Sequence, residues 1–365
     1  MLYRTLDYNE NIMESYILQI VILWLFAFWV AMLITPYYIY LLRYFGIAKQ
    51  IRTEASMGWW HATRYHALHV HKQWTPNMGW GMILIVLGLI VIITILAKYY
   101  QQYLDINIRF SLWERSETFL PLFAIFSMGI LGALDDYLNV KNIWGKKWMS
   151  ARVKMSGIAI FAFLWAWWFF YKLGYDTMTL PLFGQIHIGG WYIFVCIFLI
   201  AAMANSVNIT DGLDGLAGGL LVQNYFLYAF ISFHEWLFLL STLCIVIAAA
   251  LTAFLWFNIK PAKFYLGDSG ALALGSWLAV MALMTDTLPI LFIISWVYFW
   301  EIISVLIQVT SKKLRHGKKI FLIAPFHHHL EAKGIAEETI VMKTWLIGAI
   351  LSTLWVIAYL LPPLF

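Results

Sequence analysis

Acidic side chains in this chain are concentrated in a few short segments, each at the edge of a long apolar run. Asp135 and Asp136 are adjacent at the end of one such run. Two neighbouring carboxylates repel each other, and at a membrane boundary they need a cation or a proton to offset their charge. The pair therefore favours Mg²⁺ binding or proton transfer over the alternative of a solvated helix end.

A second polar segment, residues 205–219, has the sequence NSVNITDGLDGLAGG. Four of its residues are spaced three apart: Asn205, Asn208, Asp211 and Asp214. In a helix this spacing gives one polar edge, which would suit a metal-bound diphosphate and the hydroxyl groups of a sugar or base. The glycines would let a ligand approach closely. A plain glycine-rich turn is the alternative, and the density of acids without basic partners makes it the weaker interpretation.

Asp268 lies between glycines at the start of another apolar run, in the segment NIKPAKFYLGDSG of residues 258–270. A carboxylate on such a turn suits a hard cation, and Tyr265 is placed to stack on a planar base. The alternative role of Asp268 is the N-cap of the following helix. This segment by itself does not separate the two roles.

Three consecutive histidines, His327, His328 and His329, follow an Ala-Pro pair. They cannot share one helix face, so they suit a loop or a helix start, where histidines bind transition metals, contact anionic substrates or donate hydrogen bonds. Zinc is disfavoured because no thiolate accompanies them and the surrounding acids favour Mg²⁺. Contact with a substrate phosphate or sugar is the preferred interpretation.

Basic residues accompany the acids: Lys72 precedes one apolar run, and Arg152 and Lys154 precede another. Each of them singly is explained by membrane topology. Taken together, carboxylates, amides, lysines and histidines at one interface are what transfer of a phosphoryl group between a soluble nucleotide and a lipid phosphate needs.

The elements that must position these residues are membrane-spanning helices. Of 365 residues, 62% are hydrophobic and 12% are charged, and the mean hydropathy is +0.77. Runs of about 20 apolar residues are long enough to cross a bilayer. We predict one all-α integral membrane domain over residues 1–365 with about ten transmembrane helices. The predicted spans are Tyr16–Leu42, Met78–Lys98, Phe119–Leu138, Met155–Leu173, Ile188–Met203, Ala217–His234, Trp236–Phe257, Gly270–Thr285, Leu288–Val309 and Val341–Leu361.

Charge orients these helices. Of the 24 Lys and Arg residues, 18 fall in the loops after the odd-numbered spans, together with the polar segments above. The positive-inside rule places those loops in the cytoplasm and both termini outside. The net charge of +5 is explained by such loops rather than by nucleic-acid binding. Glu301 and Gln308 indicate that the ninth span faces protein or a polar cavity, and Cys196 and Cys244 read as small core residues.

These segments together resemble the phospho-N-acetylmuramoyl-pentapeptide transferases, within the polyprenyl-phosphate N-acetylhexosamine-1-phosphate transferase superfamily. The resemblance covers nearly the whole chain, and the histidine triplet after Ala-Pro separates the pentapeptide branch from the branches for GlcNAc phosphate and teichoic acid. The matching blocks are TPNMG at 75–79, DDY at 135–137, ARVK at 151–154, NITDGLDGLA at 208–217, FLWFN at 254–258, GDSG at 267–270, EIISV at 301–305 and APFHHH at 324–329.

The resemblance implies a reaction in peptidoglycan synthesis at the bacterial inner membrane. UDP-MurNAc-pentapeptide and undecaprenyl phosphate would give undecaprenyl-diphospho-MurNAc-pentapeptide (lipid I) and UMP, with Mg²⁺ as cofactor and a homodimer as the assembly. Asp268 would be the Mg²⁺ ligand, and Asp135 and Asp136 would deprotonate or position the lipid phosphate. The lining of the nucleotide site would be Lys72, Lys154, Asn208, Asp211, Asp214 and Tyr265, and the substrate-contacting triplet would be His327, His328 and His329, with His327 among the catalytic residues.

Three departures from the family pattern stand out: Trp80 and Ala271 replace a usual glycine and serine, and Tyr265 replaces a usual phenylalanine. None removes a charged catalytic position, although Trp80 crowds the start of the second span.

The alternative enzyme is a related transferase that uses UDP-GlcNAc-type donors. A lipid carrier or transporter is disfavoured. Transporters often show internal repeats and charges at the bilayer midplane, whereas the spans of this chain are not repeated and its charges lie at one interface. A single displacement is preferred over a covalent aspartyl intermediate.

Overall fold

The computed structural model describes residues 10–48, 72, 74–104, 111–112, 116–141, 149–180 and 184–360. Helices make up most of this part of the chain. In chain order they are α1 (Glu10–Tyr44), α2 (Trp80–Leu104), α3 (Ser116–Lys141), α4 (Ala151–Tyr171), α5 (Trp191–Thr210), α6 (Leu216–His234), α7 (Phe238–Asn258), α8 (Gly267–Met284), α9 (Leu288–Ile294), α10 (Trp296–Leu314), α11 (Phe326–Ala332) and α12 (Glu337–Leu360).

Nine of the described helices, α1 to α8 and α12, are long and apolar enough to cross a membrane. The pair α9 and α10 forms a tenth candidate, with a bend of 76° between its two parts. The predicted count of about ten spans is therefore confirmed for the described residues. A bilayer core explains why length and apolar character suffice for this prediction, since only helices or closed barrels satisfy their backbone groups there.

The ninth span differs from its prediction as one continuous helix. Its break falls at Ser295, whose hydroxyl accepts a hydrogen bond from the Asn224 side chain of α6 at 3.1 Å. Beyond the break, Glu301 and Gln308 are 4% and 5% exposed, which confirms that this helix turns its polar side towards protein. The Gln308 carboxamide accepts from the N–H groups of Ile320 and Phe321, both at 3.0 Å. It thereby holds the loop that leads to the histidine triplet.

Helix α8 is the centre of the bundle, and α1 lies at its edge. Over an apolar stretch of 18 residues in each helix, 89% of the residues of α8 are buried, compared with 17% of those of α1. Helices α3 and α5 pack closely on α8, and α2, α6 and α9 also contact it. Trp80, one of the departures from the family pattern, is 3% exposed and packs against Gly129 of α3 and Gly270 of α8. Small residues at these contacts accommodate the indole.

A two-stranded antiparallel hairpin, β1 (Thr177–Leu180) and β2 (Gly184–His187), connects α4 to α5. The all-α prediction missed it, because strands of four residues are too short for their periodicity to stand out beside long apolar helices. The backbone N–H of Thr179 donates to Asp286, just after α8, at 3.1 Å. The hairpin thus lies at the end of the bundle at which α8 finishes.

The opposite end, where α3, α5 and α7 finish and α4, α6 and α8 begin, gathers the polar residues; we call it the polar end. Contacts between segments far apart in the sequence establish it. Lys154 at the start of α4 reaches Asp135 near the end of α3, and Asn208 near the end of α5 reaches Asp268 at the start of α8. The prediction that the polar segments share one end of the bundle is confirmed.

Candidate active site

The first group of polar side chains, which we call the Lys154 cluster, joins four helices. The Lys154 Nζ lies 3.1 Å from Asp135 Oδ2 and also hydrogen-bonds to Asp268 Oδ2. The Asn208 amide donates to the other oxygen of Asp268 at 2.8 Å. One ammonium group thus offsets two carboxylates that would otherwise repel each other.

Exposure is uneven within the Lys154 cluster. The side chain of Asp135 is 4% exposed, that of Lys154 13% and that of Asp268 24%. Asp135 also accepts a hydrogen bond from the backbone N–H of Met149 at 2.7 Å. Asp268 is therefore the carboxylate of this cluster that a ligand arriving from water reaches first.

Asp136, although adjacent to Asp135, has a different environment. Its carboxylate accepts from the backbone N–H groups of Asp268 at 3.2 Å and Ser269 at 3.0 Å, and from the Asn77 amide at 2.8 Å. The first N–H groups of a helix have no partner within it, so Asp136 of α3 satisfies the start of α8. We infer that Asp136 positions Asp268 through the backbone.

The helix start itself requires a glycine. Gly267 has φ +82°, and a Cβ there would lie 2.6 Å from Asp136 Oδ2. The N-cap of α8 is Leu266, which offers no side-chain cap. Asp268 is therefore not the N-cap that the sequence left open as an alternative; the capping carboxylate comes from another helix, and the Asp268 side chain bonds to Lys154 and Asn208 instead.

The second group, which we call the Lys72 cluster, is built around Asp214 in the turn between α5 and α6. The Lys72 Nζ is 2.7 Å from Asp214 Oδ1 and also hydrogen-bonds to Glu337 Oε1. The other Asp214 oxygen accepts from the backbone N–H of Ala262 at 3.0 Å, and the Tyr265 hydroxyl donates to Asp214 Oδ1 at 3.3 Å. Lys72 and Asp214 are both buried.

Tyr265 is only 5% exposed. Burial and the nearby Asp214 carboxylate raise the pKa of its phenol well above the ordinary value, so the hydroxyl stays protonated and donates. The structure thus gives Tyr265 a contact that the sequence did not predict. Its stacking on a base remains a prediction.

The turn between α5 and α6 corrects the expectation of a single helical polar edge. Helix α5 ends at Thr210, so Asn205 and Asn208 lie on the helix while Asp211 and Asp214 lie in the turn. The cause is local: the N–H of Gly212 bonds to Thr210 O at 2.8 Å, which closes a tight turn. The glycine-rich turn is therefore present, with Asp211 and Asp214 in it, and the binding of a diphosphate there stays a prediction.

The histidine triplet begins α11, as predicted for a loop or helix start, and its three rings have different surroundings. His327 Nδ1 lies 3.1 Å from Glu301 Oε2, and His328 Nδ1 lies 2.6 Å from Glu331 Oε2. Both rings are buried, and their Nε2 atoms approach Gly212, where an added Cβ would collide with them. The first two histidines therefore adjoin the acidic turn.

His329 differs from its neighbours. Its Nδ1 accepts a hydrogen bond from the Leu322 N–H at 3.1 Å, and its ring packs against Phe321 and Phe326. Partial burial, then Lys333, lower the pKa of His329, which favours the neutral ring that this acceptor role needs. The predicted substrate contact of His329 stays a prediction.

Two functional-looking carboxylates escaped the sequence analysis. Glu337 belongs to the Lys72 cluster, and Glu331 pairs with His328. The spacing of three residues between His328 and Glu331 was a usable signal, since such residues face each other on a helix. Glu337 gave no such signal, because its partners Lys72 and Asp214 are remote in the sequence.

The donor atoms of the Lys154 cluster suit magnesium bound in its usual manner. Among the described residues, no group of three or more His, Cys, Asp or Glu side chains is arranged to hold a metal ion. Mg²⁺ is commonly held by one or two carboxylates together with substrate phosphates. Asp268 and Asp135, on either side of Lys154, supply two such carboxylates.

Comparisons with known proteins show which proteins this chain is similar to. A model of the family described as Glycosyl transferase family 4 matches residues 118–286, a range that contains the Lys154 cluster. The chain is 33% identical over 338 residues to the phospho-N-acetylmuramoyl-pentapeptide-transferase of Lacticaseibacillus paracasei, which covers 92% of this chain and 96% of that protein.

Two further relatives carry the same name. The Geobacillus sp. protein is 32% identical over 333 residues, covering 90% of this chain and 94% of the relative. The Pelobacter propionicus protein is 36% identical over 305 residues, covering 78% and 79%. The similarity therefore extends over most of this chain and most of each relative, and it is not confined to the site.

Proposed function

Because this chain belongs to the phospho-N-acetylmuramoyl-pentapeptide-transferase family, we propose that it transfers phospho-MurNAc-pentapeptide from UDP-MurNAc-pentapeptide to undecaprenyl phosphate, for peptidoglycan synthesis. An oxygen of the lipid phosphate forms a bond to the phosphorus that carries MurNAc. The bond from that phosphorus to the UMP oxygen breaks, and UMP leaves with the electron pair. The products are lipid I and UMP.

The observation that carries this proposal is the Lys154 cluster. One ammonium and two carboxylates from three helices meet at the polar end, and the most exposed of them is Asp268. Transfer of a phosphoryl group depends mainly on positioning and on stabilising charge in transit. Lys154 would contact a phosphate oxygen of the substrate, and Asp135 would position the incoming lipid phosphate or take its proton.

Magnesium is part of the proposal, with Asp268 as its protein ligand and Asp135 close by. When bound, Mg²⁺ would neutralise the diphosphate and stabilise the charge that develops on the leaving phosphate. Asn208 holds the Asp268 carboxylate in place at 2.8 Å. Asp136 holds the backbone beneath it, at 3.2 Å from the Asp268 nitrogen.

The remaining site residues would bind the rest of the donor. Lys72, Asp214 and Tyr265 form one connected group that we assign to the uridine end. His327 and His328 adjoin the Asp211–Gly212 turn, so they would contact a phosphate or the sugar. A single displacement needs no covalent intermediate from any of these side chains, and it remains the preferred mechanism.

The orientation in the membrane is also proposed. The loops after the odd-numbered predicted spans carry 18 of the 24 Lys and Arg residues, which supports a cytoplasmic active site with both termini outside. A soluble nucleotide donor made in the cytoplasm requires the same orientation. The protein would be a multi-pass protein of the bacterial inner membrane, and a homodimer is proposed from the family resemblance alone.

A donor-selectivity assay tests the function. The full-length protein in proteoliposomes would receive undecaprenyl phosphate, Mg²⁺ and either UDP-MurNAc-pentapeptide or UDP-GlcNAc, and the lipid-linked product would be measured. We expect product from the muramoyl-pentapeptide donor and none from UDP-GlcNAc. Turnover of UDP-GlcNAc with the pentapeptide donor ignored would instead establish the related hexosamine-phosphate transferase.

A further inference from the structure

Glu337, the first residue of α12, is a carboxylate that neither the sequence motifs nor the proposed chemistry uses. Its side chain is only 5% exposed. Burying a charge is costly unless the group is paired and hydrogen-bonded. The partners of Glu337 therefore show what this carboxylate contributes to the site.

Three donors from separate segments converge on Glu337. Its Oε1 accepts from the Lys72 ammonium and, at 2.8 Å, from the backbone N–H of Asp214. Its Oε2 lies 3.4 Å from the Lys260 ammonium. The carboxylate thus connects the Lys72 segment, the acidic turn and the loop before α8.

The arrangement fixes Lys72 from two sides. Asp214 Oδ1 holds the same ammonium at 2.7 Å, so Lys72 lies between two buried carboxylates. Removing the negative charge of Glu337 would leave Asp214 as the remaining carboxylate on this ammonium. It would also weaken the acceptor for the Asp214 N–H, and the turn would lose a contact that sets its position.

A second contact from α12 reaches the same turn. The Trp345 indole N–H donates to Gly215 O at 3.2 Å, and its ring packs on Gly219 at the start of α6. Because Trp345 holds α12 against the turn by packing, the fold at this position does not depend on Glu337 alone. A change at Glu337 should therefore act on Lys72 and Asp214 more than on the helix as a whole.

We propose that Glu337 is a positioning residue for the uridine end of the nucleotide donor, acting through Lys72 and the Asp214 backbone without touching substrate. The inference rests on the proposed function, because it assumes that Lys72 and Asp214 bind the donor. It assigns to the C-terminal helix a part in the active site that lies in no sequence motif.

The chain offers a matched control in the next residue. Glu338 is also a glutamate in the first turn of α12, but its side chain is 55% exposed and pairs with Lys260 at 2.7 Å. Glu337→Gln and Glu338→Gln remove the same charge from adjacent positions. A purely electrostatic effect of a charge at this helix end would appear in both variants.

Steady-state kinetics with the full-length protein in proteoliposomes provide the test. We expect Glu337→Gln to raise the KM for UDP-MurNAc-pentapeptide about 10- to 100-fold, the range that corresponds to loss of a charged hydrogen bond. The kcat and the KM for undecaprenyl phosphate should change less than about threefold. Glu338→Gln should behave as the unsubstituted protein, and Glu337→Asp should recover part of the donor affinity.

A double-mutant cycle separates positioning from general structure. If Glu337 acts through Lys72, Glu337→Gln should add less than about threefold to the donor KM of a Lys72→Met variant. Fully additive effects of the two substitutions on the donor KM would overturn the inference. So would a fall in kcat with equal rises in both KM values, since that is the pattern of a merely structural role.

Two further results remain decisive. If Glu337→Gln does not fold, Glu337→Asp and direct binding of UMP to the purified protein give the same comparison, and unchanged UMP affinity in a folded Glu337→Asp variant would overturn the inference. If the unsubstituted protein does not turn over the muramoyl donor, the proposed function fails. If it does, and Glu337→Gln keeps its donor KM, only the role of Glu337 fails.

Discussion

The Lys154 and Lys72 clusters have the same composition, one ammonium between two carboxylates, but they differ in exposure. In the Lys72 cluster the side chains of Lys72, Asp214 and Glu337 are 8%, 5% and 5% exposed. In the Lys154 cluster, Asp268 reaches 24%. Buried ion pairs keep their partners, because separating them leaves an uncompensated charge. In an open pair the carboxylate can exchange the lysine for a metal ion, and the lysine can exchange the carboxylate for a phosphate, at lower cost.

This difference indicates two tasks at one end of the bundle. The open cluster would carry the chemistry, since its charges are accessible to a diphosphate. The closed cluster would keep the residues at the uridine end of the site in position, since its charges are already paired. Substitutions in the open cluster should therefore affect turnover, and those in the closed cluster should affect donor affinity.

The largest effect is expected from Asp268→Asn in the open cluster. The amide keeps the size of the side chain but loses the charge that would bind Mg²⁺, so activity should fall by about a thousandfold or more. Product formation over a range of Mg²⁺ concentrations measures it, with thermal unfolding to show that the protein stays folded. Turnover equal to that of the unsubstituted protein would remove Asp268 as the metal ligand.

Asp135→Asn should come next and should sharpen the assignment within the open cluster. Asp135 is 4% exposed on its side chain and binds Lys154, and the proposed function assigns it to the lipid phosphate. We expect kcat to fall by about 100-fold, with a donor KM within a few-fold of normal. A raised donor KM with normal kcat would make Asp135 a binding residue instead.

Sequence alone identified the spans and the end of the bundle at which the polar residues meet. Both follow from rules that can be applied along the chain. A span needs a minimum apolar length to cross a bilayer, and successive loops lie on alternate sides of the membrane. The different surroundings of Asp135 and Asp136 did not follow, because they depend on which backbone lies opposite each carboxylate. Ser295 at the break is hydrogen-bonded to Asn224 of another helix, and the part that Glu337 takes in the site follows only from its contacts with Lys72 and Asp214. Contacts of this kind are decided by tertiary packing.

A smaller effect is expected from Asp136→Asn, which tests whether neighbouring aspartates have separate tasks. The amide retains one oxygen for the N–H groups of Asp268 and Ser269 but loses the charge that favours a helix N-terminus. We expect the free energy of unfolding to fall by about 1 to 2 kcal/mol. The kcat should fall by about tenfold, because Asp268 is held less well.

Thermal unfolding and kinetics on Asp135→Asn and Asp136→Asn in parallel provide the comparison. The first should lose rate with little loss of stability, and the second should lose both. Identical behaviour of the two variants would contradict the separation and would make the aspartates one functional pair.

The smallest effect is expected at His329, the member of the triplet that binds the Leu322 backbone instead of adjoining the acidic turn. Replacing its ring by alanine should lower kcat/KM for the donor by about threefold or less, through loosening of the loop before α11. His327→Ala is the matched variant, and it should cost at least ten times more, because that ring is 1% exposed and lies between Glu301 and Gly212. Measured kcat/KM values that are equal for the two variants would mean that the triplet acts as a unit, and that the orientation of each ring does not determine its part in the reaction.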